Sequence, residues 1–154
     1  MPSASWPSQN LRNLERTGAL KQEPTSASEI RRLIELARGS LASAGLKSNS
    51  LEVRYQVAYA AAHFLALAAL RSNNYRTAAR EGHRQLLFQL LPHTCGVDLS
   101  AALALDHAHR KRNELEYTGA VDVTEAETGS LIAATGGLQE SFLDWIKRHR
   151  PELS

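Results

Sequence analysis

Residues 57–70 read VAYAAAHFLALAAL. On a helix of 3.6 residues per turn, Val57, Ala60, Ala61, Phe64, Leu67 and Ala68, with Val53 before them, make one apolar side. Ala58, Ala62, Ala66 and Ala69 carry apolar surface onto the other sides. A helix that is apolar almost all round has to be enclosed by neighbours, and its alanines let another backbone approach closely. The stretch predicts a central helix from Ser50 to about Arg71, ended by Asn73 and Asn74.

Helical patterns continue on both sides of it. Upstream, Ser26 and Glu29 have capping-box spacing, and Ile30, Leu33, Ile34, Ala37, Leu41 and Ala44 recur at helical intervals, with Gly45 suited to a left-handed end. Downstream, one helix is predicted from Thr77 to Leu91, stopped by Pro92, and another from Leu99 to Tyr117, stopped by Thr118–Gly119. A second capping box, Thr124 and Glu127, opens a helix from Glu125 to Arg148. Its apolar side carries Leu131, Ile132, Thr135, Leu138, Phe142, Trp145 and Ile146, and Gly136–Gly137 is its weak point. No alternating strand pattern is visible. The expected fold is all-α, an up-and-down bundle of four to five antiparallel helices over residues 25–150. Residues 1–24 are expected to be a flexible arm in which Leu11, Leu14 and Leu20 mark a short helix or docked segment, broken at Pro24.

Composition agrees with this class. The 154 residues fit one domain, 43% are hydrophobic, and only 6% are aromatic. A net charge of +2 is too small to argue for nucleic-acid binding, so a local patch would have to carry it. The single cysteine, Cys95, excludes an intrachain disulfide and is expected to be a small buried or loop residue. No apolar run reaches membrane-spanning length, and MPSASWPSQN lacks the basic-then-apolar order of a secretory signal. The expected compartment is the cytoplasm.

The chemistry concentrates in HRKRNELEY, residues 109–117, at the end of the fourth predicted helix. At about 100° per residue, Ala101, Ala104, Leu105, Ala108 and Leu115 share one side with Arg112. Leu99, Leu103, Asp106, Arg110, Asn113 and Tyr117 share the opposite side. The last four form a stripe that is expected to border a cleft or a dimer seam, against the plainer alternative of a solvated helix end laced by Asp106–Arg110 and Arg112–Glu116 pairs.

This helix resembles the signature helix of the HEPN superfamily, whose members are small all-α bundles, often dimeric. Their hallmark is an Arg, usually followed by a polar residue such as Asn, then four to six positions, then a His, with Tyr two further on. Arg110 and Tyr117 stand at the family's Arg-to-Tyr distance, and Arg112–Asn113 matches its Arg-Asn dipeptide. The His is missing: counted from Arg110 its place is held by Leu115, and the six residues after Arg112 contain no His. In ribonuclease members, Arg and His work on RNA without a metal, and Leu115 can transfer no proton. The order AYAAAHFLALAAL, NNYR, EGHRQLLFQL, RKRNELEY looks like a branch of small antitoxin-like or accessory HEPN proteins, and the resemblance covers residues 26–118. It implies a non-catalytic interaction module, homodimeric through the second and fourth helices, that binds a nucleotidyltransferase-like partner, a nucleotide or RNA. Asp106, Arg110, Arg112, Asn113, Tyr117 and His83 are the expected contact residues.

Two alternatives stay open. One is a metal-independent ribonuclease toxin in which His83 or His109 replaces the absent His. The other is a structural adaptor bundle with no ligand. No cofactor and no metal are expected, because no Cys/His cluster exists, and His107 and His109 point about 160° apart on a helix. His63, among alanines and Phe64, is expected to be a satisfied core or interface histidine. Arg76, Arg80, Arg84, Arg110, Lys111 and Arg112 would make a phosphate-attracting patch if the third and fourth helices are adjacent, diluted by Glu81, Glu114 and Glu116.

Overall fold

A computed structural model describes residues 8–78, 83–119 and 121–154. In chain order the elements are α1 (Gln9–Thr17), β1 (Leu20–Gln22), α2 (Ala27–Ala44), α3 (Leu51–Ser72), β2 (Tyr75–Thr77), α4 (His83–Gln89), α5 (Leu91–Thr94), α6 (Leu99–Thr118) and α7 (Glu125–His149), with a closing 3-10 turn at Pro151–Leu153. The protein is predominantly all-α, a helical bundle with one tiny ribbon of two strands.

The central position of α3 follows from its sequence. Thirteen of its residues are buried, from Arg54 to Ser72, and its alanines 58, 61, 62, 66, 68 and 69 admit neighbours on every side. α2 lies along α3, α7 lies along another face, and α4, α5 and α6 complete the shell. Phe88, Phe142, Leu65, Leu105 and Ile146 are fully enclosed between these helices. α1 is docked, since Leu11 and Leu20 are both core residues. Residues 1–7 of the expected arm lie outside the described residues.

The caps divide into those the sequence announces and those that depend on distant groups. Ser50 caps α3 through the Val53 N–H, Asp98 caps α6 through Ala101, and Thr124 with Glu127 makes a full reciprocal box on α7. Gly119 ends α6 in the left-handed region at φ 63°. Gly45 does not behave as expected: its φ is −78°. The Arg54 Nε reaches back to donate to the Ala44 carbonyl at 2.8 Å, and the Asn49 amide donates to the Ser43 carbonyl at 3.0 Å. Those bonds satisfy the terminal carbonyls of α2 without a left-handed residue. The Ser26–Glu29 box is only half formed. Ser26 accepts from the Glu29 N–H, but the Glu29 carboxylate turns to Arg71 and Thr25.

Two further expectations are corrected. The predicted third helix does not start at Thr77 and does not stop at Pro92. Residues 75–77 pair antiparallel with 20–22, Leu20 opposite Thr77 and Gln22 opposite Tyr75. Pro92 sits in the first turn of α5, where its missing N–H is harmless. The chain turns between α3 and β2 at Asn74, whose φ is 63°. That residue type tolerates the left-handed region. Buried Arg71 ties the turn to the rest of the molecule. It donates to the carbonyls of Glu23, Pro24 and Tyr75 and pairs with the Glu29 carboxylate at 2.7 Å.

Candidate functional site

α6 has two dissimilar sides, and the chemistry gathers on the one facing α3 and α4. Tyr59, two turns into α3, is 2% exposed. Its hydroxyl lies 2.8 Å from Nδ1 of His109 on α6, and the positive charge of Arg84 on α4 acts on it. The Arg112 guanidinium stands 5.2 Å from the centre of the Tyr59 ring, within cation–π range. Phe88 meets the same ring edge-on at 5.7 Å. Asn113 lies 3.2 Å from Nε2 of His109, and Glu116 pairs with Arg112 at 3.0 Å. One turn along α3 from Tyr59, His63 stacks edge-on against His83 of α4 at 6.0 Å.

Three helices thus bring a phenol, three imidazoles, two guanidiniums and an amide together. The spacing explains how. Tyr59 and His63 are four apart on α3, His109 and Asn113 four apart on α6, and Arg112 lies between them on the same side.

Burial favours the uncharged forms of His63, His109 and Tyr59 in this group. Burial lowers the His63 pKa from 6.5 to about 4, helped by Arg84, His83, Arg112 and His109. Its Nε2 is buried with no partner among the described residues, which corrects the expectation of a satisfied histidine. His109 is shifted downward, first by burial and then by Arg112, Arg84 and His83, with Asp106 opposing. Burial raises the Tyr59 pKa, and Arg84 and Arg112 oppose it. If the Asn113 amide donates to Nε2, the neutral His109 ring carries its proton on Nδ1 and donates it to the Tyr59 oxygen. Both ring nitrogens are then engaged.

The expected contact residues separate into two sets. Arg112, Asn113 and His83 are in this cluster. Arg84 joins Arg112 from the basic set. Asp106 is 8% exposed on the same helix, and its Oδ1 has no partner among the described residues. Arg110 and Tyr117 are elsewhere: Tyr117 is 82% exposed, and Arg110 lines a separate cleft of about 360 Å³ with His107, Lys111, Glu114 and Val121. The basic patch is dispersed further, since Lys111 pairs with Glu127 and Arg76 with Glu23. Arg80 and Glu81 lie outside the described residues. Tyr59 is not among the expected contacts: its partner His109 is fifty residues away, and the only local hint is its i,i+4 spacing to His63.

Cys95 is 4% exposed, and burial pushes its thiol pKa to about 12, so it is inert at neutral pH. No group of three or more His, Cys, Asp or Glu among the described residues has metal-holding geometry. No helix among the described residues is long and apolar enough to cross a membrane. Comparisons with family profiles, curated proteins and solved structures find no match for the chain.

Proposed function

We propose that the α3–α4–α6 groove binds a phosphate ester, a nucleotide or an RNA backbone phosphate, without cutting it. The observation that carries this is the Arg112 guanidinium over the Tyr59 ring beside His109, with the charge of Arg84 felt by both groups. Two guanidiniums from different helices offer forked donors to phosphate oxygens, and the His83 ring stands beside them. The Arg112 side chain is 20% exposed, so its fork is partly dry, where a charged hydrogen bond is strongest. Glu116 occupies part of that fork and is the group a phosphate would displace.

The state of His109 supports binding over cleavage. A general base needs a ring nitrogen within reach of the proton it removes. Here Nδ1 faces the Tyr59 hydroxyl and Nε2 faces Asn113. A metal-free ribonuclease would rely on His83 instead. The likeness to HEPN sequences supports the same non-catalytic assignment, and a nucleotidyltransferase-like partner rests on that likeness alone.

The test is titration of the purified protein with a fluorescent single-stranded RNA and with ATP, in EDTA, across a salt series. Binding should weaken with salt, and Arg84→Ala or Arg112→Ala should each reduce the salt slope by about one phosphate contact. RNA cleaved in EDTA, and spared by Arg112→Ala, would replace this proposal with the ribonuclease. No binding at low salt, or binding that both variants retain, would remove the groove as a phosphate site.

A further inference from the structure

On the flank of α6 away from His109 and Asn113, the helix faces α7 through small side chains. Ala104 and Ala108 of α6 and Ala126 and Ala134 of α7 wall a cleft of about 390 Å³, and buried Leu131 lines its floor. That volume is within the usual span of small-ligand pockets, roughly 300–1,000 Å³. The opening continues past Ala134 towards Gly137. Alanine walls specify no ligand by themselves, and they would let the two helices pack closer. The polar groups inside the cleft carry the information.

At the inner end stands Tyr55, one turn before Tyr59 on α3 and only 3% exposed. Its hydroxyl has no hydrogen-bond partner among the described residues. The oxygen is nevertheless not sealed from solvent, so it opens into the cleft that the ring lines. Glu127 lines the same cleft, and its charge acts on that hydroxyl. A hydroxyl this deep without a partner is costly, and a ligand group that bonds it would relieve the cost. Ser130 and His107 stand at the exposed mouth, and the Ser130 hydroxyl also has no partner among the described residues.

We propose that this cleft binds a small uncharged ring compound bearing one hydrogen-bonding group, of the size of an indole or a naphthol. The ring lies between the alanine walls over Leu131, and its polar group meets the Tyr55 hydroxyl, which can donate or accept. Charge sets the class. The Glu127 carboxylate beside Tyr55 disfavours an anion. That carboxylate is already committed to Lys111 and to the Thr124 cap, so it offers little to a cation. The apolar walls would leave either charge poorly solvated. The cleft and the phosphate groove lie on different flanks of α6, so each stands or falls separately.

The test is isothermal titration calorimetry of the full chain with 2-naphthol at neutral pH, with 2-naphthoate as the charged control. The naphthol should bind with a dissociation constant below about 1 mM, and the naphthoate roughly tenfold more weakly. Tyr55→Phe should weaken naphthol binding about tenfold. The same change should leave the melting temperature of the free protein unchanged or higher, because no internal hydrogen bond is lost. Ala104→Phe, at an exposed wall position, should abolish binding with unchanged circular dichroism. Arg112→Ala should bind naphthol as the wild type does, which separates this cleft from the phosphate groove. A cleft that holds water alone would give no binding at about 1 mM, and that result would overturn the proposal. Equal affinity for naphthol and naphthoate, or full affinity in Tyr55→Phe or Ala104→Phe, would overturn it as well.

Discussion

Arg71 is the sharpest test of how the fold is held. Its side chain is 6% exposed, and its donors are fully used: Nε on the Glu29 carboxylate at 2.7 Å, one terminal nitrogen on the Glu23 and Tyr75 carbonyls at 2.8 and 3.0 Å, the other on the Pro24 carbonyl at 2.8 Å and on Glu29 again. Arg71→Met keeps most of the volume and removes every donor. Two carboxylates, Glu29 and Glu23, and three carbonyls then lose this donor; the two carboxylates are 38% and 49% exposed and can turn to water, so the cost is about 2–4 kcal/mol, mostly from the buried carbonyls. At about 2–4 °C per kcal/mol for a chain of this length, the melting temperature should fall by roughly 4–16 °C. Urea denaturation followed by circular dichroism gives the free energy, and a double-mutant cycle with Glu29→Gln isolates the pair. The coupling should exceed about 1.5 kcal/mol. The pH dependence has a fixed sign. The Arg71 hydrogen bond chiefly holds the Glu29 carboxyl below its ordinary 4.5. The stability it contributes is therefore present above pH 4.5 and lost as pH falls through the lower folded value. In Arg71→Met that acidic loss should shrink. A cost under about 1 kcal/mol, or equal effects of Glu29→Gln in both backgrounds, would refute the assigned role of Arg71.

Other consequences follow from single residues. Thr124→Ala should destabilise by about 1 kcal/mol, because it removes one half of the α7 capping box and frees the other, and chemical denaturation will read it. His63 is neutral in the folded protein down to about pH 4, while the unfolded chain protonates it below 6.5. Stability should therefore decline as pH drops from about 6.5 towards 4, and His63→Gln should flatten that part of a pH series of urea midpoints. Glu116→Gln should tighten phosphate-ester binding several-fold by releasing the Arg112 fork, and an unchanged or weaker affinity by fluorescence anisotropy would count against displacement of Glu116 by the ligand.

How much was legible divides along the range of the interactions. α3, α6 and α7 were read nearly to their ends, because apolar periodicity and Ser50, Thr124 and Gly119 act within a turn of themselves. The ribbon was missed because Leu20 and Tyr75 show no alternation over three residues and meet only after α2 and α3 have folded back. Gly45 and Glu29 were misread for a related reason: Arg54 and Arg71, distant in sequence, offered better partners than the local motif. In the candidate site, Arg112, Asn113 and His83 were picked out by residue type. Arg110 and Tyr117 turned away from it because the stripe containing them is the outer side of α6. The sequence presents His109 only as a non-chelating neighbour of His107 or a displaced base, and the i,i+4 pairs Tyr59–His63 and His109–Asn113 are the signal it holds for the observed role.

The short pairing of residues 20–22 with 75–77 closes the chain into a ring around the first two long helices. For an unstructured chain that closure would cost roughly 3–4 kcal/mol in entropy. It becomes inexpensive once α2 and α3 have formed their hairpin and brought the two ends together. The ribbon should therefore be a latecomer in folding and the first part to open. The bonded pairs of the ribbon alternate, with the Glu23 N–H on the Asn74 carbonyl and the Ala78 N–H on the Ala19 carbonyl, so the amides of Glu23 and Ala78 should exchange with solvent well ahead of those in the middle of α3.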